Sequence, residues 1–357
     1  MELKKYLTPE QLEQWHSLIG AASNVVVVGH PSPDGDAMGS ILALTRYLQN
    51  LGKNAVPMTP NACPDFLQWL PGNEQVVVYR NKTRKAKEIL ADSDLVFCLD
   101  FNGLGRLEEM RQAVSDCPAP RIMIDHHLDP EPIAELTISD TTAAATCEVL
   151  FCVLHQLGAY ENMTREMAAC LYCGLMTDTG AFAYNSNRAS IFQIVAMLLA
   201  KGIDKDKIYR QVYYSYTESR LRLMGYLMYE KMEYFPEEHA ALFTLTEEEM
   251  TRFNFMRGDA EGVVNMPLQI KGTKLSISLR EDTEKPVVRV SLRSVGTFPC
   301  NEMAERFFNG GGHLNAAGGW LPKPMGLAVL TARRAIAAYR HVLEPKLKAV
   351  DEAKSGN

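Results

Sequence analysis

The sequence predicts an α/β protein with an N-terminal, doubly wound domain built on a parallel sheet and a smaller C-terminal α+β domain. The chain has 357 residues, which is long for one domain and favours two. Apolar runs of strand length alternate with segments of helical periodicity as far as about residue 125, a pattern typical of parallel sheets. After a mainly helical stretch, strand-like segments return beyond residue 231, which indicates a second sheet.

The first domain can be followed element by element. A helix over residues 8–22 begins at Thr8 as N-cap, with Gln11 three residues later in a capping-box pattern. A second helix over residues 37–51 carries apolar residues at helical period and ends at Gly52. The other predicted elements are helices over 84–91 and 107–114 and five strands over 24–29, 54–58, 75–79, 95–99 and 122–124.

The rest of the chain divides into a helical region and a second domain. Helical periodicity covers residues 142–158, 164–176, 189–201, 204–213 and 217–230. The second domain combines strands over 240–245, 273–280 and 286–292 with helices over 300–308 and 326–347, between which lies a glycine-rich loop. The predicted organisation is therefore a first domain over 1–200, a helical linker over 201–232 and a second domain over 233–348.

Composition narrows the class of protein. Hydrophobic residues make up 46% of the chain and charged residues 22%, as in ordinary globular proteins. No apolar run approaches the ~18 residues of a membrane span. The first five residues contain no apolar stretch of a secretory signal, so we expect a cytoplasmic protein without a membrane partner. The net charge of −6 argues against a partner such as long duplex nucleic acid, but a short phosphorylated substrate remains compatible, since bound divalent ions supply positive charge.

The eight cysteines are scattered through apolar segments. The pair Cys170-x-x-Cys173 has the spacing of half a zinc site, but it lies in a helical run without a second pair at suitable spacing. We therefore expect these two cysteines to pack in the core.

Polar side chains that bind cations follow three of the apolar strands. Ligands collect at the carboxyl ends of strands in an open parallel sheet, so these side chains are expected to converge. A simpler interpretation makes Asp36 a helix N-cap, but it leaves the neighbouring Asp34 unexplained. Asp178 ends a helical segment, where a negative charge is unfavourable unless a cation lies nearby. The candidate residues are His30, Asp34, Asp36, Asp100, Asp125, His126, His127 and Asp178.

Four aspartates and two histidines of this set exceed the ligands that one tetrahedral zinc ion requires. Carboxylate-rich sites with imidazole suit Mn²⁺, with Mg²⁺, Co²⁺ or Fe²⁺ as competitors. Two ions ~3.5–4 Å apart would need a bridging carboxylate and would promote hydrolysis of a phosphate ester or anhydride. Because adjacent side chains after a strand point to different sides, His126 and His127 are not expected to ligate the same ion.

A second group of candidate residues lies in the smaller domain. Gly310, Gly311 and Gly312 allow the backbone to approach an anion, and His313 and Asn315 follow at once. Glycine-rich turns and strand arginines are also common without a ligand, so only their combination favours binding. The preceding strand offers Arg289, Ser291 and Arg293, which alternate and share one face.

In this order the motifs resemble those of the DHH phosphoesterase superfamily, specifically its bifunctional oligoribonuclease and adenosine-bisphosphate phosphatase branch. The resemblance covers His30 to Gly318 and rests on five segments. They are His30-Pro-Ser-Pro-Asp-Gly-Asp-Ala-Met-Gly-Ser40, Asp100, Asp125-His-His127, Thr177-Asp-Thr-Gly180 and Gly310-Gly-Gly-His-Leu-Asn-Ala-Ala-Gly318.

The resemblance implies a catalytic first domain and a substrate-binding second domain of the DHH-associated type. It implies that His30 and Asp34 hold one divalent ion, that Asp36, His126 and Asp178 hold another, and that Asp100 bridges the two. It also implies catalytic roles for His127 as acid, for Asp125 as its orienting partner and for Arg106 at the phosphate. The implied substrate-binding residues are Ser291, Arg293, Gly310, Gly311, Gly312, His313 and Asn315. Leu314 departs from the family pattern, in which a basic residue is frequent at this position.

The expected activity is Mn²⁺-dependent hydrolysis of short single-stranded RNA or DNA oligonucleotides, or linear dinucleotides such as pApA, to mononucleotides. Hydrolysis of 3′-phosphoadenosine 5′-phosphate (pAp) to AMP belongs to the same expectation. The alternatives are a phosphodiesterase for cyclic di-AMP, a pyrophosphatase and a nucleotide-binding protein without activity. A separate phosphate-binding domain argues against pyrophosphate as substrate, and clustered carboxylates argue against an inactive site because they repel. The resemblance leaves a homodimer open.

Overall fold

The computed structural model describes residues 2–256 and 258–343. The chain forms two compact units that divide between Ser215 and Tyr216. This division falls inside residues 201–232, for which the sequence predicts a helical linker. The predicted end of the second domain at residue 348 lies outside the described residues.

Unit 1 contains a six-stranded sheet whose strands are all parallel. The strands are β1 (Asn24–Val28), β2 (Asn54–Thr59), β3 (Val77–Val78), β4 (Leu95–Leu99), β5 (Arg121–Asp125) and β6 (Leu136–Ser139). Their order β3-β2-β1-β4-β5-β6 confirms the predicted doubly wound topology. Five strands were expected, and the sixth, Leu136–Ser139, was missed because its four residues carry too short an alternation.

The helices of unit 1 cover both faces of this sheet. They are α1 (Pro9–Ala21), α2 (Gly35–Asn50), α3 (Thr83–Ala91), α4 (Arg111–Ser115), α5 (Thr146–Gln156), α6 (Arg165–Asp178), α7 (Ala189–Ala200) and α8 (Lys205–Tyr213). The capping box predicted at Thr8 is present. The predicted helix over 107–114 is instead a 3₁₀ segment, Leu104–Met110, followed by α4, because Glu108 has φ +46° and interrupts the helical backbone.

The central strand β1 shows why the sheet is buried on both sides. Val25 and Val27 pack in one hydrophobic core with Ile41 of α2, while Val26 and Val28 pack in another with residues of α3. Continuous apolar runs are the sequence signature of such a strand. Cys170 and Cys173 are buried in the first of these cores, as expected.

Unit 2 contains a mixed six-stranded sheet with the order β11-β12-β10-β9-β8-β7, in which only β8 and β9 are parallel neighbours. The strands are β7 (Glu233–Phe235), β8 (Ala240–Leu245), β9 (Leu275–Glu281), β10 (Val287–Ser294), β11 (Gly311–His313) and β12 (Ala316–Pro322). The helices are α9 (Glu218–Tyr226), α10 (Glu247–Arg252), α11 (Cys300–Phe307), α12 (Met325–Ala338) and α13 (Arg340–Leu343), with a π-helical turn at Leu227–Lys231 and a 3₁₀ segment at Val263–Gln269.

Two expectations for unit 2 need correction. The glycine-rich segment is not a loop, because Gly311–His313 and Ala316–Pro322 pair as antiparallel strands. The predicted helix over 326–347 ends at Ala338 and is followed by the short α13, while residues 344–347 lie outside the described residues. Within the described ranges, none of the helices combines the length and apolar character needed to cross a bilayer.

Candidate functional site

The N-terminus of α2 places two aspartates at the carboxyl end of β1. Asp34, not Asp36, is the N-cap, because its Oδ1 accepts hydrogen bonds from the backbone N–H groups of Asp36 and Ala37, each at 3.0 Å. The interpretation of Asp36 as a simple N-cap is therefore wrong. Gly35 between them must lack a side chain, since a Cβ would overlap Thr177 at the end of α6. Because Asp34 caps α2, the carboxylate of Asp36 is left to accept hydrogen bonds from another element.

That element is α5, whose first turn binds Asp36 through the backbone. Asp36 Oδ2 accepts from the N–H of Thr146 at 2.6 Å, and Oδ1 accepts from the N–H of Cys147 at 2.9 Å. The N-cap of α5 is Ala145, which has no side-chain acceptor for these groups. Sequence reasoning missed this contact, although a helix that begins without a capping residue signals that an acceptor must come from elsewhere.

Asp100 occupies the carboxyl end of β4 and is 1% exposed. Its Oδ1 accepts a hydrogen bond from the hydroxyl of Thr146 at 2.9 Å. The backbone of Asp100 has φ +64°, in the left-handed region, where aspartate is one of the better tolerated residues with a side chain. Thr146 thus contacts both carboxylates, one through its backbone and the other through its side chain.

Two histidines direct their Nε2 atoms towards these carboxylates. The Nδ1 of His30 lies 2.8 Å from the carbonyl oxygen of Pro31, and the Nδ1 of His126 lies 3.3 Å from that of Ala143. A carbonyl oxygen can only accept, so Nδ1 carries the proton in both rings. In the neutral ring the lone pair of Nε2 then faces the carboxylates.

The separations between these atoms suit a shared cation. Nε2 of His30 lies 3.4 Å from Asp100 Oδ2 and 3.9 Å from Asp34 Oδ1. Nε2 of His126 lies 3.5 Å from Asp178, 3.6 Å from Asp100 and 3.9 Å from Asp36. These distances exceed those of ordinary hydrogen bonds. Two ligand atoms that each bind one ion at ~2.1 Å are separated by roughly 3–4 Å, so the donor set fits divalent ions.

The six side chains form two groups of possible ligands that meet at Asp100. One group consists of His30, Asp34 and Asp100, and the other consists of Asp36, His126 and Asp178, with the ligand atoms in each group within 4.8 Å of one another. Asp100 Oδ1 also lies 3.6 Å from His126, so it contacts the second group. We refer to these six residues as the Asp/His cluster.

Charge in the Asp/His cluster is unbalanced without a cation. Burial raises the pKa of Asp36 to about 8, and the charge of Asp100 adds to this effect. Burial alone would lower the pKa of His30, but the side chain of Asp100 and the charge of Asp34 raise it to about 9. Burial likewise opposes a charge on His126, while Asp100 and Asp36 raise its pKa. The cluster therefore favours positive charge between its members.

His127 and Asp125 form a separate pair next to the cluster. Nδ1 of His127 donates to Oδ1 of Asp125 at 2.8 Å, and Asp125 is fully buried. The rings of His126 and His127 are inclined by 72°, so the neighbouring imidazoles face different directions. The second oxygen of Asp125 has no hydrogen-bond partner in the described part of the chain. Since Nδ1 of His127 contacts Asp125, the other ring nitrogen, Nε2, lies on the opposite side of the ring.

Arg106 is not brought into the cluster. It lies in the 3₁₀ segment after β4 with an exposed side chain. Among the described residues, no hydrogen bond or ion pair joins its guanidinium to any of the carboxylates named above. Its predicted role at the phosphate therefore has no support from a contact in this structure.

In unit 2, strand register places Ser291, Arg293, Gly311 and His313 on one face of the sheet. Gly312 belongs to the opposite face, and Gly310 and Asn315 lie outside the strands. Burial alternates along β10, with Ser291 and Arg293 half-exposed and their neighbours buried. His313 pairs with Ala316 in the adjacent hairpin. Asn315 instead serves the fold, because its Nδ2 donates to Ser294 Oγ at 2.9 Å and to the carbonyl of Gly296 at 3.0 Å.

The three consecutive glycines, Gly310 to Gly312, differ in whether a Cβ would fit at their positions. A Cβ at Gly310 would overlap the carbonyl of Gly318, and one at Gly312 would lie 2.6 Å from that of Ala316. These two glycines are required by the close approach of the hairpin to itself. At Gly311 the nearest atom is the Glu305 carboxylate at 4.0 Å, so the backbone of Gly311 is the one that leaves room for a ligand.

Comparisons with known proteins agree with this architecture. The model of the DHH family N-terminal domain matches residues 24–175, and that of the DHHA1 domain matches residues 241–340. The bifunctional oligoribonuclease and PAP phosphatase NrnA of Thermus thermophilus is 28% identical over 329 residues, which cover 90% of this chain and 88% of that protein. The cyclic-di-AMP phosphodiesterase GdpP of Bacillus subtilis is 23% identical over 84% of this chain and 45% of its own length.

A crystal structure of an exopolyphosphatase-related protein from Bacteroides fragilis superposes with a TM-score of 0.91. It is 44% identical to this chain, and the match covers 96% of this chain and 100% of that one. Both units and their order are therefore shared with a solved relative. The chain belongs to the DHH phosphoesterase family of hydrolases and joins a DHH N-terminal domain to a DHHA1 domain.

Proposed function

We propose that this protein is a divalent-metal-dependent phosphoesterase that hydrolyses short single-stranded oligonucleotides and linear dinucleotides to mononucleotides, and pAp to AMP. One observation carries the proposal. Four carboxylates, of which those of Asp36 and Asp100 are buried, converge with the Nε2 atoms of two histidines at 3.4–3.9 Å, and the Nδ1 protons of both histidines face carbonyl oxygens. Such an arrangement is stable only with positive charge between its members.

His30 and Asp34 would hold one ion, Asp36, His126 and Asp178 would hold another, and Asp100 would contact both. Bound divalent ions supply Lewis-acid chemistry, since they lower the pKa of a coordinated water and neutralise charge on phosphate oxygens. A set of oxygen and imidazole ligands without thiolate suits Mn²⁺ best, with Mg²⁺ and Co²⁺ as alternatives. Backbone donors of Thr146 and Cys147 keep Asp36 oriented, and a bound cation would favour its ionised form, which burial opposes.

The pair of His127 and Asp125 would handle the proton of the leaving group. As water adds to phosphorus, the bond from phosphorus to the leaving oxygen breaks, and that oxygen must gain a proton. Asp125 accepts from Nδ1 of His127 at 2.8 Å, which orients the ring. Protonated Nε2 of His127 would then donate to the leaving oxygen, and the incoming water would restore the proton balance.

The choice of substrate rests on unit 2 and on the relatives. Arg293 is half-exposed on the sheet face that also carries Ser291, and it has no carboxylate partner among the described residues. A guanidinium in this setting suits a phosphate group. The Thermus relative is named an oligoribonuclease and PAP phosphatase, and its match extends over both units. A substrate with a second phosphate, beyond the one that is cleaved, would account for the half-exposed guanidinium of Arg293 and for the match to the relative over both units.

The proposal is tested by a substrate panel with product chromatography. The purified full chain is incubated with pAp, pApA, cyclic di-AMP, inorganic pyrophosphate and oligonucleotides of increasing length, each with Mn²⁺, Mg²⁺ or Co²⁺ and with EDTA. We expect AMP from pApA and from pAp, with the highest rate in Mn²⁺ and none in EDTA.

The panel separates the alternatives. Preferred cleavage of cyclic di-AMP would replace the proposal with the activity for which the Bacillus relative is named. Turnover by the wild type in EDTA, or by Asp100→Asn in Mn²⁺, would contradict the role of the Asp/His cluster. Asp116→Asn, which changes an exposed aspartate on the surface of the same unit, is the matched control.

A further inference from the structure

A three-residue segment, Pro31-Ser32-Pro33, joins His30 to Asp34, the two side chains assigned above to one divalent ion. Nε2 of His30 and Oδ1 of Asp34 lie 3.9 Å apart, so the path of this segment sets the spacing of two ligands. The proline rings fix φ at Pro31 and at Pro33. Ser32 is therefore the residue of the segment at which a change of φ would move Asp34 relative to His30.

The backbone of Ser32 has an unfavourable conformation. Its φ is +52°, in the left-handed region that residues with a side chain seldom adopt. Because a proline follows, steric contacts with the proline ring also favour an extended conformation with negative φ at Ser32. A conformation that both effects oppose persists only where surrounding contacts hold it. The contact that holds Ser32 should therefore matter for the ligands on either side.

Asn61 supplies such a contact from a different part of the sheet. The backbone N–H of Ser32 donates to Oδ1 of Asn61 at 2.6 Å, between residues 29 positions apart. Asn61 follows the end of β2, the strand next to β1, and only 5% of its surface is exposed. An asparagine that merely completed a surface turn would keep its side chain in solvent. The burial of this amide indicates that its hydrogen bond serves the neighbouring segment.

The hydrogen bond from Asn61 acts on the same peptide group that orients His30. The carbonyl of Pro31 and the N–H of Ser32 belong to one planar unit. The carbonyl oxygen lies 2.8 Å from Nδ1 of His30, and the N–H at its other side is held by Asn61. A flip of this peptide would turn the carbonyl away from Nδ1 and make φ of Ser32 negative. Asn61 opposes that flip, since the N–H would lose its acceptor.

The backbone on which Asn61 sits is itself fixed. The hydroxyl of Thr59, which is fully buried, donates to the carbonyl of Asn61 at 2.9 Å. The N–H of Arg80 donates to the carbonyl of Pro60 at 3.0 Å. The acceptor of Ser32 is thus anchored to β2 and to the segment after β3. A rigid support of this kind is what a metal ligand needs in order to keep its orientation.

We propose that Asn61 is a positioning residue of the Asp/His cluster, which holds the Pro31–Ser32 peptide so that Nε2 of His30 faces the ion shared with Asp34. This inference rests on the proposed function, because the ion belongs to it. Asn61 acts through His30 and Asp34 and takes no part in the chemical step. Its loss should therefore weaken one of the two ions selectively and raise the Mn²⁺ concentration that turnover requires.

The first test is calorimetric titration of the metal-free full chain with Mn²⁺, without substrate. Asn61→Ala should weaken one of the two ions by about 10- to 100-fold, as for other residues that orient a metal ligand, and leave the second within about twofold. Asn61→Asp retains an acceptor for the N–H of Ser32 and should stay within about threefold of the wild type. Asn54→Ala is the matched control, since this exposed asparagine donates to Asn24 at 2.9 Å at the opposite end of β2.

The second test asks whether Asn61 acts through Ser32. Glycine accepts a positive φ without strain, so Ser32→Gly added to Asn61→Ala should recover at least about threefold of the lost Mn²⁺ affinity. Turnover of pApA by Asn61→Ala should be low at the Mn²⁺ concentration that half-saturates the wild type and approach the wild-type rate at a concentration about a hundredfold higher. Absence of recovery in the double variant would overturn the inference.

Other outcomes separate this inference from the proposed function. Asn61→Ala that lowers the thermal stability of the metal-free chain but binds both Mn²⁺ ions with wild-type affinity would show a role in folding alone and overturn the inference. Hydrolysis of pApA by the wild type would then leave the proposed function intact. A wild-type chain that binds two Mn²⁺ ions, with one weakened in Asn61→Ala, but hydrolyses no substrate of the panel would contradict the proposed function and support the inference. Failure of the wild type to bind Mn²⁺ would overturn both.

Discussion

The Asp/His cluster of unit 1 and the half-exposed side of β10 in unit 2 hold their polar side chains in opposite ways. In the cluster, nearly every carboxylate is fixed by a backbone or side-chain donor, as with Thr146 and Cys147 at Asp36. On this side of β10, Ser291 and Arg293 alternate with core residues and make few contacts of their own. The first arrangement is built for atoms that must be placed accurately, and the second for a ligand that supplies much of its own order. Substitutions should therefore have different consequences in the two regions.

The largest effect is expected from Asp100→Asn. This change removes the one carboxylate that contacts both ligand groups, while asparagine retains the left-handed φ of +64°. Turnover of pApA should fall by at least about a thousandfold, as when a central electrostatic group is lost from an active site. Stabilisation by Mn²⁺ in thermal unfolding should also disappear. Retention of more than a tenth of the wild-type rate would show that Asp100 is peripheral.

A pair of glycine substitutions compares packing in the two regions directly. In Gly174→Ala the new methyl group would overlap Cys147 Sγ and lie 2.8 Å from Asp36 Oδ1, so unfolding free energy should fall by about 3 kcal/mol. In Gly318→Ala the nearest atom is at 3.4 Å, and the change should stay within about 0.5 kcal/mol. Urea denaturation measures both. Equal losses at the two positions would remove the contrast between the tight packing of the Asp/His cluster and the looser packing at Gly318.

Thr146→Val should weaken metal binding by the Asp/His cluster without changing the packing around it. The valine keeps the shape and the backbone N–H that binds Asp36, but it lacks the hydroxyl that donates to Asp100 at 2.9 Å. Affinity for Mn²⁺ should fall by about 10- to 100-fold, as measured by titration calorimetry. Thr142→Val is the control, since it removes a hydroxyl from Asp140 in the same segment. If the two variants bind Mn²⁺ equally well, Thr146 has only a structural role.

Arg293→Ala should weaken the binding of substrate and leave kcat and stability unchanged. Because Arg293 is half-exposed and, among the described residues, donates only to the carbonyl of Leu292 at 2.9 Å, its loss should leave stability unchanged. KM for pApA should rise by about tenfold, the size expected for a lost charged hydrogen bond, with kcat retained. The exposed Arg334→Ala on α12 controls for loss of charge. A fall in kcat at constant KM would instead place Arg293 in the chemical step.

The smallest effect is expected at a carboxylate of unit 1 that lies outside the cluster. Burial opposes ionisation of Asp140, but hydrogen bonds from Lys4, Tyr6 and Thr142 lower its pKa. A lowered pKa stabilises the fold above the unfolded value of about 3.9, and this contribution is lost as pH falls through the folded value. Asp140→Asn should therefore be less stable than the wild type near pH 7, and the difference should shrink below about pH 4. A difference that is independent of pH would contradict this assignment.

The sequence was sufficient to predict the parallel sheet, because β1, β4 and β5 are continuous apolar runs that end on polar residues. It also predicted which side chains should converge, since strand ends share one edge of the sheet. It could not predict how they are held. The contact between α5 and Asp36 joins residues 110 positions apart, and no local pattern specifies such a pairing.

The remaining errors have local causes. The strand Leu136–Ser139 is too short for its period to be distinguished, and the glycines around His313 suggested a loop although their backbone pairs in a hairpin. Asp34 and Asp36 each have the chemistry of an N-cap, and only the structure shows that Asp34 fills this role. The pairing of Trp320 with Arg289 depends on strand register, which a single sequence does not reveal.

We expect the Asp/His cluster to hold two divalent ions in one shared site. The most direct measurement is the number of Mn²⁺ ions bound per full-length chain, determined by equilibrium dialysis together with electron paramagnetic resonance. We predict two ions per wild-type chain with the spectrum of a spin-coupled pair, and loss of that coupling in Asp100→Asn. One uncoupled ion, or none, in a preparation that still hydrolyses pApA would rule out a shared site for two ions.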